Sequence, residues 1–132
     1  MKQLTILTDN RPGVLAEIAE RLGNNGINME SISAETFADG AIIRMVTRDV
    51  AGAKKALANT GYKLTESEIL LFSADDRAGS LAKIARILEK SKINIEHIYL
   101  LTKKGGRGIF AAKVNRMDDA RKALAGFVAE DF

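Results

Sequence analysis

One segment of this chain is written twice, and that repetition limits the folds open to it more than any other feature. Residues 9–34 align without a gap to residues 75–100, and twelve of the 26 aligned pairs are identical. The alignment opens on Asp9-Asn10-Arg11-Pro12-Gly13, answered by Asp75-Asp76-Arg77-Ala78-Gly79. Further on, Ala53-Lys54-Lys55-Ala56-Leu57 is matched by Ala120-Arg121-Lys122-Ala123-Leu124, with the offset grown from 66 to 67 residues. The turn Lys104-Gly105-Gly106-Arg107 is the expected place for the extra residue. Such a repeat within 132 residues predicts two homologous domains, 1–66 and 67–132, with essentially no linker.

Within each repeat the hydrophobic period changes in a fixed order. Leu4 and Ile6 alternate with Thr5 and Thr8, as in a half-buried strand. Leu15, Ile18, Ala19 and Leu22 then recur at helical spacing with Glu17, Glu20 and Arg21 opposite, and Leu81, Ile84, Ala85 and Leu88 repeat that face. Asn24-Asn25-Gly26 reads as the end of the helix. Residues 27–37 alternate again, Asp39-Gly40 predicts a hairpin turn, and residues 41–47 form the returning strand. Asp49 is placed to cap a short Ala-rich helix, and residues 62–66 form a brief last strand. The order β-α-β-β-α-β predicts an α+β chain of two ferredoxin-like sandwiches in tandem, their antiparallel sheets packed side by side. Residues 62–74 must supply both the last strand of one repeat and the first of the next, for which one long bent strand is the simplest form. Residues 127–132 are short and polar for a final strand.

Units of this size bury only about 60% of their unfolded surface, and a four-stranded open sheet leaves two edges to be covered. Both pressures favour pairing of the repeats and of two chains, so a homodimer is expected. Net charge is +3, with Lys and Arg interleaved among Asp and Glu, unlike the one-sided basic surface that nucleic acids require. Cysteine is absent, which excludes disulfides, thiolate metal sites and thiol catalysis. The first residues lack a secretory apolar core, and no apolar run reaches the roughly 18 residues of a membrane span. A soluble cytoplasmic protein with no membrane contact is the expectation.

A strand, then D-x-R-x-G opening a helix, then Gly26-Ile27-Asn28 or Lys92-Ile93-Asn94, all within βαββαβ units, resembles the ACT domain. The resemblance covers essentially the whole chain as a tandem pair, like the small stand-alone proteins made of two such repeats. It implies an allosteric sensor that binds a free amino acid at domain interfaces. An alternative role is that of a regulatory subunit acting in trans on a separate enzyme of amino-acid metabolism. By motif, the ligand-binding residues it implies are Asp9, Asn10, Arg11, Pro12, Gly13, Val14 and Asn28 in the first repeat. In the second they are Asp75, Asp76, Arg77, Gly79, Ser80 and Asn94. The second repeat departs from the pattern, with Ala78 for Pro, Asp76 for Asn and Lys92 for Gly, so its loop reads as less rigid and more acidic.

The chemistry of these residues suits a zwitterion. Backbone N–H groups at a helix entrance can receive a carboxylate, a nearby Gly allows close approach, and an Asn amide offers both a donor and an acceptor. The plainer alternative stays open: Asp9 and Asp75 cap or turn the chain, Arg11 and Arg77 make exposed ion pairs, and the glycines shape the helix start. The lone His97 on a strand reads as structural, and Lys103 to Gly108 as a solvated turn, lacking the spacing of a phosphate loop. No catalytic nucleophile–base pair, metal set or cofactor fingerprint is evident, so neither an enzyme nor a cofactor is expected. RNA-recognition domains share this strand order but stack bases on aromatics. Here the first strands offer only Phe72, and Ile109, Ala111 and Val114 stand in the third strand.

Overall fold

The computed structural model describes residues 1–131, and it follows the alternating periods of the sequence. The chain runs β1 (Lys2–Asp9), α1 (Val14–Asn24), β2 (Ser31–Phe37), β3 (Gly40–Val46), α2 (Val50–Ala56), β4 (Lys63–Glu68), β5 (Leu70–Asp75), α3 (Ser80–Lys90), β6 (Ile95–Lys104), β7 (Arg107–Val114) and α4 (Met117–Ala123). It divides into two compact units, Lys2–Ser67 and the chain from Glu68 onward with Met1. Both are α+β with an antiparallel sheet, and no helix among the described residues is long and apolar enough to cross a membrane.

In the first unit the strand order is β2-β3-β1-β4, the ferredoxin-like arrangement. Leu4 pairs across the ladder with Met45, and Ile6 with Ile43, so these four share a face. Val14, Ile18 and Leu22 of α1, with Ala53 of α2 and Leu57 just beyond it, close over that face. Burial of each large aliphatic side chain there contributes about 1.5–3 kcal/mol. Asp49 caps α2 by accepting a hydrogen bond from the Gly52 N–H at 2.8 Å. A Cβ at position 52 would meet Asp49 Oδ2 at 2.2 Å, so the missing side chain makes room for the cap. Asp49→Ala is expected to cost about 1 kcal/mol, read as a lower urea midpoint of the full chain.

The second unit repeats the plan with order β5-β7-β6 and a core of Leu70, Phe72, Ile84, Leu88, Ala112 and Leu124. Among the described residues its last segment, 127–131, does not make a full strand. It closes the free edge of β5 through the Phe72–Val128 bridge, with Ser73 N–H donating to Phe127 O at 2.8 Å and Ala129 N–H to Leu71 O at 2.9 Å. The end of the expected strand, Phe132, lies outside the described residues.

Several expectations are corrected. β4 and β5 are separate strands of different sheets, broken at Ile69, whose N–H donates to the Met1 carbonyl at 3.1 Å. Both hairpins have two-residue turns, Ala38-Asp39 and Gly105-Gly106, so the extra residue of the second repeat is not in the turn. It is Leu101, a β-bulge between the pairs Leu100–Phe110 and Thr102–Ile109. Residues 27–30 are irregular, and β2 begins only at Ser31. Leu15 and Leu81, expected on the core face, are 45% and 40% exposed. In the first unit that face is led by Val14, the first residue of α1.

Candidate functional site

The repeated loop owes its shape to a helix that starts without a side-chain cap. Gly13 (φ 90°) and Gly79 (φ 88°) hold the N-cap positions of α1 and α3 in the left-handed region, and neither helix has a side-chain cap hydrogen bond. Asp9 and Asp75 are therefore not helix caps. They end β1 and β5, and both are exposed. The Glu17 N–H returns to Gly13 O at 2.9 Å and the Lys83 N–H to Gly79 O at 3.2 Å, while the Val14 N–H turns back to Arg11 O at 3.5 Å and the Ser80 N–H to Arg77 O at 3.3 Å, so the two amides between them project from each helix end. Each loop is also tied to the hairpin turn of its own unit. The Asn10 N–H donates to Asp39 O at 3.1 Å, and the Asp76 N–H to Gly106 O at 2.9 Å.

In the first unit this loop borders a recess of about 370 Å³. Asn10, Arg11 and Val14 line it from the loop side, and Leu15, Ala34, Ala41 and Ile43 give it apolar walls, with Glu35 and Thr36 at β2. The corresponding recess in the second unit is smaller, about 190 Å³, between Asp76, Arg77, Ser80 and Leu81 on one side and Leu100, Lys103 and Phe110 on the other. Leu15, the β2–β3 positions, Lys103 and Phe110 are not among the site residues expected from the sequence. Leu15 carried a signal, since it widened the apolar stripe of α1 beyond what the core uses.

Asn28 and Asn94 are not brought to these recesses within their own units. Asn28 O accepts from Thr47 Oγ1 at 2.8 Å, next to the end of β3 remote from Gly40 and the loop. Seven strand residues separate the two places, roughly 20 Å. Asn94 borders a different surface hollow with Lys92 and Glu89, and its N–H is held by Asn115 Oδ1 at 3.0 Å. Pro12 is exposed beside Gly13 and is not among the residues lining the recess of about 370 Å³.

The loop arginines are engaged in ion pairs. Arg11 Nη2 lies 2.7 Å from Glu17 Oε2, and Arg77 Nη2 2.9 Å from Asp75 Oδ2. The hydrogen bond from Arg11 holds the Glu17 carboxyl below its ordinary value of 4.5 and raises the guanidinium. Tyr62 Oη is buried with no well-aligned hydrogen bond, and burial first, then neighbouring Glu17, raises its pKa. Because Glu17 is lowered in the folded state, its stabilisation is present above the ordinary pKa and lost as pH falls through the lowered one. Urea midpoints of wild type and Glu17→Gln are therefore expected to differ at neutral pH and to converge in acid below the ordinary 4.5.

The second loop is locally acidic, yet its folded surroundings are basic. Asp76 pairs with Lys103 at 2.8 Å, and Asp75 pairs with both Arg77 and Arg107, the latter at 2.7 Å. His97 stacks on Tyr99, ring centroids 6.1 Å apart, at the β6 surface. Phe72, the one first-strand aromatic, is fully buried against Phe110 and presents no face to a base.

A family model for an ACT domain pair matches residues 1–130. Among solved structures, the chain is similar to a protein from Bacteroides thetaiotaomicron, with 25% identity and a TM-score of 0.88, covering 97% of this chain and 90% of that one. It is similar in fold to the ligand-free regulatory subunit of aspartate kinase from Thermus thermophilus, with 18% identity, a TM-score of 0.71, and 95% and 91% of the two chains covered. The corresponding subunit from Thermus flavus gives 20% identity and a TM-score of 0.66, covering 93% and 88%. No curated protein sequence matches the chain.

Proposed function

This chain belongs to the family of ACT domain pairs, and from that premise we propose that it binds a free amino acid beside its repeated loop and acts as a regulator. The observation that carries the proposal is the glycine-capped entrance of α1 next to a recess with one polar rim and apolar walls. Projecting amides suit the α-carboxylate, with a helix-end contribution of about 0.3–1 kcal/mol. The Asn10 side-chain amide, which has no partner among the described residues, faces the ammonium, together with Glu35, whose Oε1 is paired with Arg44 at 2.5 Å and whose Oε2 is left for it. The walls formed by Val14, Leu15, Ala34 and Ile43 suit an aliphatic side chain. Two or three charge-assisted hydrogen bonds, each about 1.5–3 kcal/mol, correspond to roughly micromolar to millimolar binding.

A thermal-shift screen of the twenty amino acids on the full chain tests this. A rise in melting temperature with one or a few of them is expected, and no shift at millimolar concentration overturns the reading. Asn28→Ala sorts two versions of the site. A ligand held by one loop alone leaves that variant fully responsive. A ligand completed by a second copy, as a homodimer would allow, loses affinity. The companion role, a regulatory subunit acting in trans, matches the description of the Thermus proteins of like fold. Recovery of a metabolic enzyme with this chain from native extract, in an amino-acid-dependent manner, would support it.

A further inference from the structure

A second recess opens on the other side of the second unit's loop, about 320 Å³ in volume, with Arg77, Lys83 and Arg107 among its lining residues. The repeat supplies an internal comparison. Position 83 answers to Glu17 and position 107 to Gly40. In the first unit Glu17 reaches back and pairs with Arg11 at 2.7 Å, beside the buried hydroxyl of Tyr62. In the second unit Lys83 cannot make that pair, and among the described residues its ammonium has no ion-pair partner. Two carboxylates, Asp9 and Glu17, accompany two cations in the first unit, Arg11 and, 3.7 Å from Glu17, Arg21. A single carboxylate, Asp75, faces three cations in the second.

Asp75 does not neutralise this excess. Its two oxygens are taken by Arg77 at 2.9 Å and Arg107 at 2.7 Å, which fixes both guanidinium groups at the rim. Ser73 holds Arg107 further, through its carbonyl at 3.3 Å and its hydroxyl at 3.0 Å. Ala74, Ala78, Ile84 and Phe127 form an apolar floor that sheds water from one side. Preorganised arginines with a free lysine are suited to a planar or tetrahedral oxyanion carrying two negative charges. We propose that this recess is an anion site, separate from the amino-acid recess, that takes a small dianion: a phosphoryl group or a dicarboxylate.

Titration calorimetry of the full chain, with inorganic phosphate in one arm and succinate in the other, tests the proposal. Binding in at least one arm is expected, weakening steeply as salt is raised. Lys83→Glu restores the carboxylate that the first unit carries at the matching position and is expected to weaken that binding at least tenfold while leaving the circular dichroism spectrum unchanged. Lys83→Gln, which removes the charge without adding its opposite, is expected to fall between them. Phosphate without succinate, or the reverse, identifies the anion. No binding in either arm, or binding indifferent to both variants, overturns the proposal. The thermal response to amino acids is measured on the same samples, so failure here is separable from failure of the amino-acid reading.

Discussion

Phe72→Ala is expected to destabilise the second unit by about 3–5 kcal/mol, enough to unfold it. Phe72 is fully buried at the centre of β5, and its ring stacks on Phe110 with centroids 5.3 Å apart. It also carries the Val128 bridge, the contact that covers the free edge of β5. Truncation therefore removes transfer free energy, leaves a cavity between sheet and helices, and forfeits a stacking term of about 0.5–1.5 kcal/mol. A domain of this size has a total stability of only a few to about 10 kcal/mol. Urea unfolding followed by far-ultraviolet circular dichroism should show loss of the native signal from this unit in buffer. Phe72→Leu, which keeps most of the volume, should retain it with a lowered midpoint. Equal midpoints for Phe72→Ala and wild type would contradict the core described above.

Gly13→Val is expected to cost about 1–3 kcal/mol and to abolish the response of the first recess to amino acids. No atom lies within 4 Å of the place a Cβ would take, so the penalty is one of backbone conformation and not of collision. A β-branched residue at φ 90° is a severe outlier, whereas Asn tolerates the left-handed region better. The order of melting temperatures should then be wild type, Asn, Ala, Val. A ranking by side-chain size alone, with Ala above Asn, would point to a steric origin instead.

The duplication made the fold legible, because two weakly patterned copies each supported the other's strands and helices. The hairpins, the α2 cap at Asp49 and the helix faces around Ile18 and Ile84 all follow from local periods and turn chemistry. The bulge at Leu101 was hidden because an inserted residue inside a strand leaves no compositional mark, while the neighbouring glycines do. The recess walls were hidden for a different reason. Ala34, Ala41 and Ile43 reach the loop only through sheet register, which sequence spacing does not report. Arg107 likewise reverses the charge of an acidic-looking loop from 32 residues away.

The backbone bonds from Asn10 to Asp39 and from Asp76 to Gly106 have a kinetic meaning. Either amide can exchange its proton with solvent only when the loop parts from its hairpin, so the two amides time that opening in each unit separately. A ligand that stiffens one loop slows one of these clocks and leaves the other running. The pair thus gives a residue-by-residue readout of which repeat has been filled.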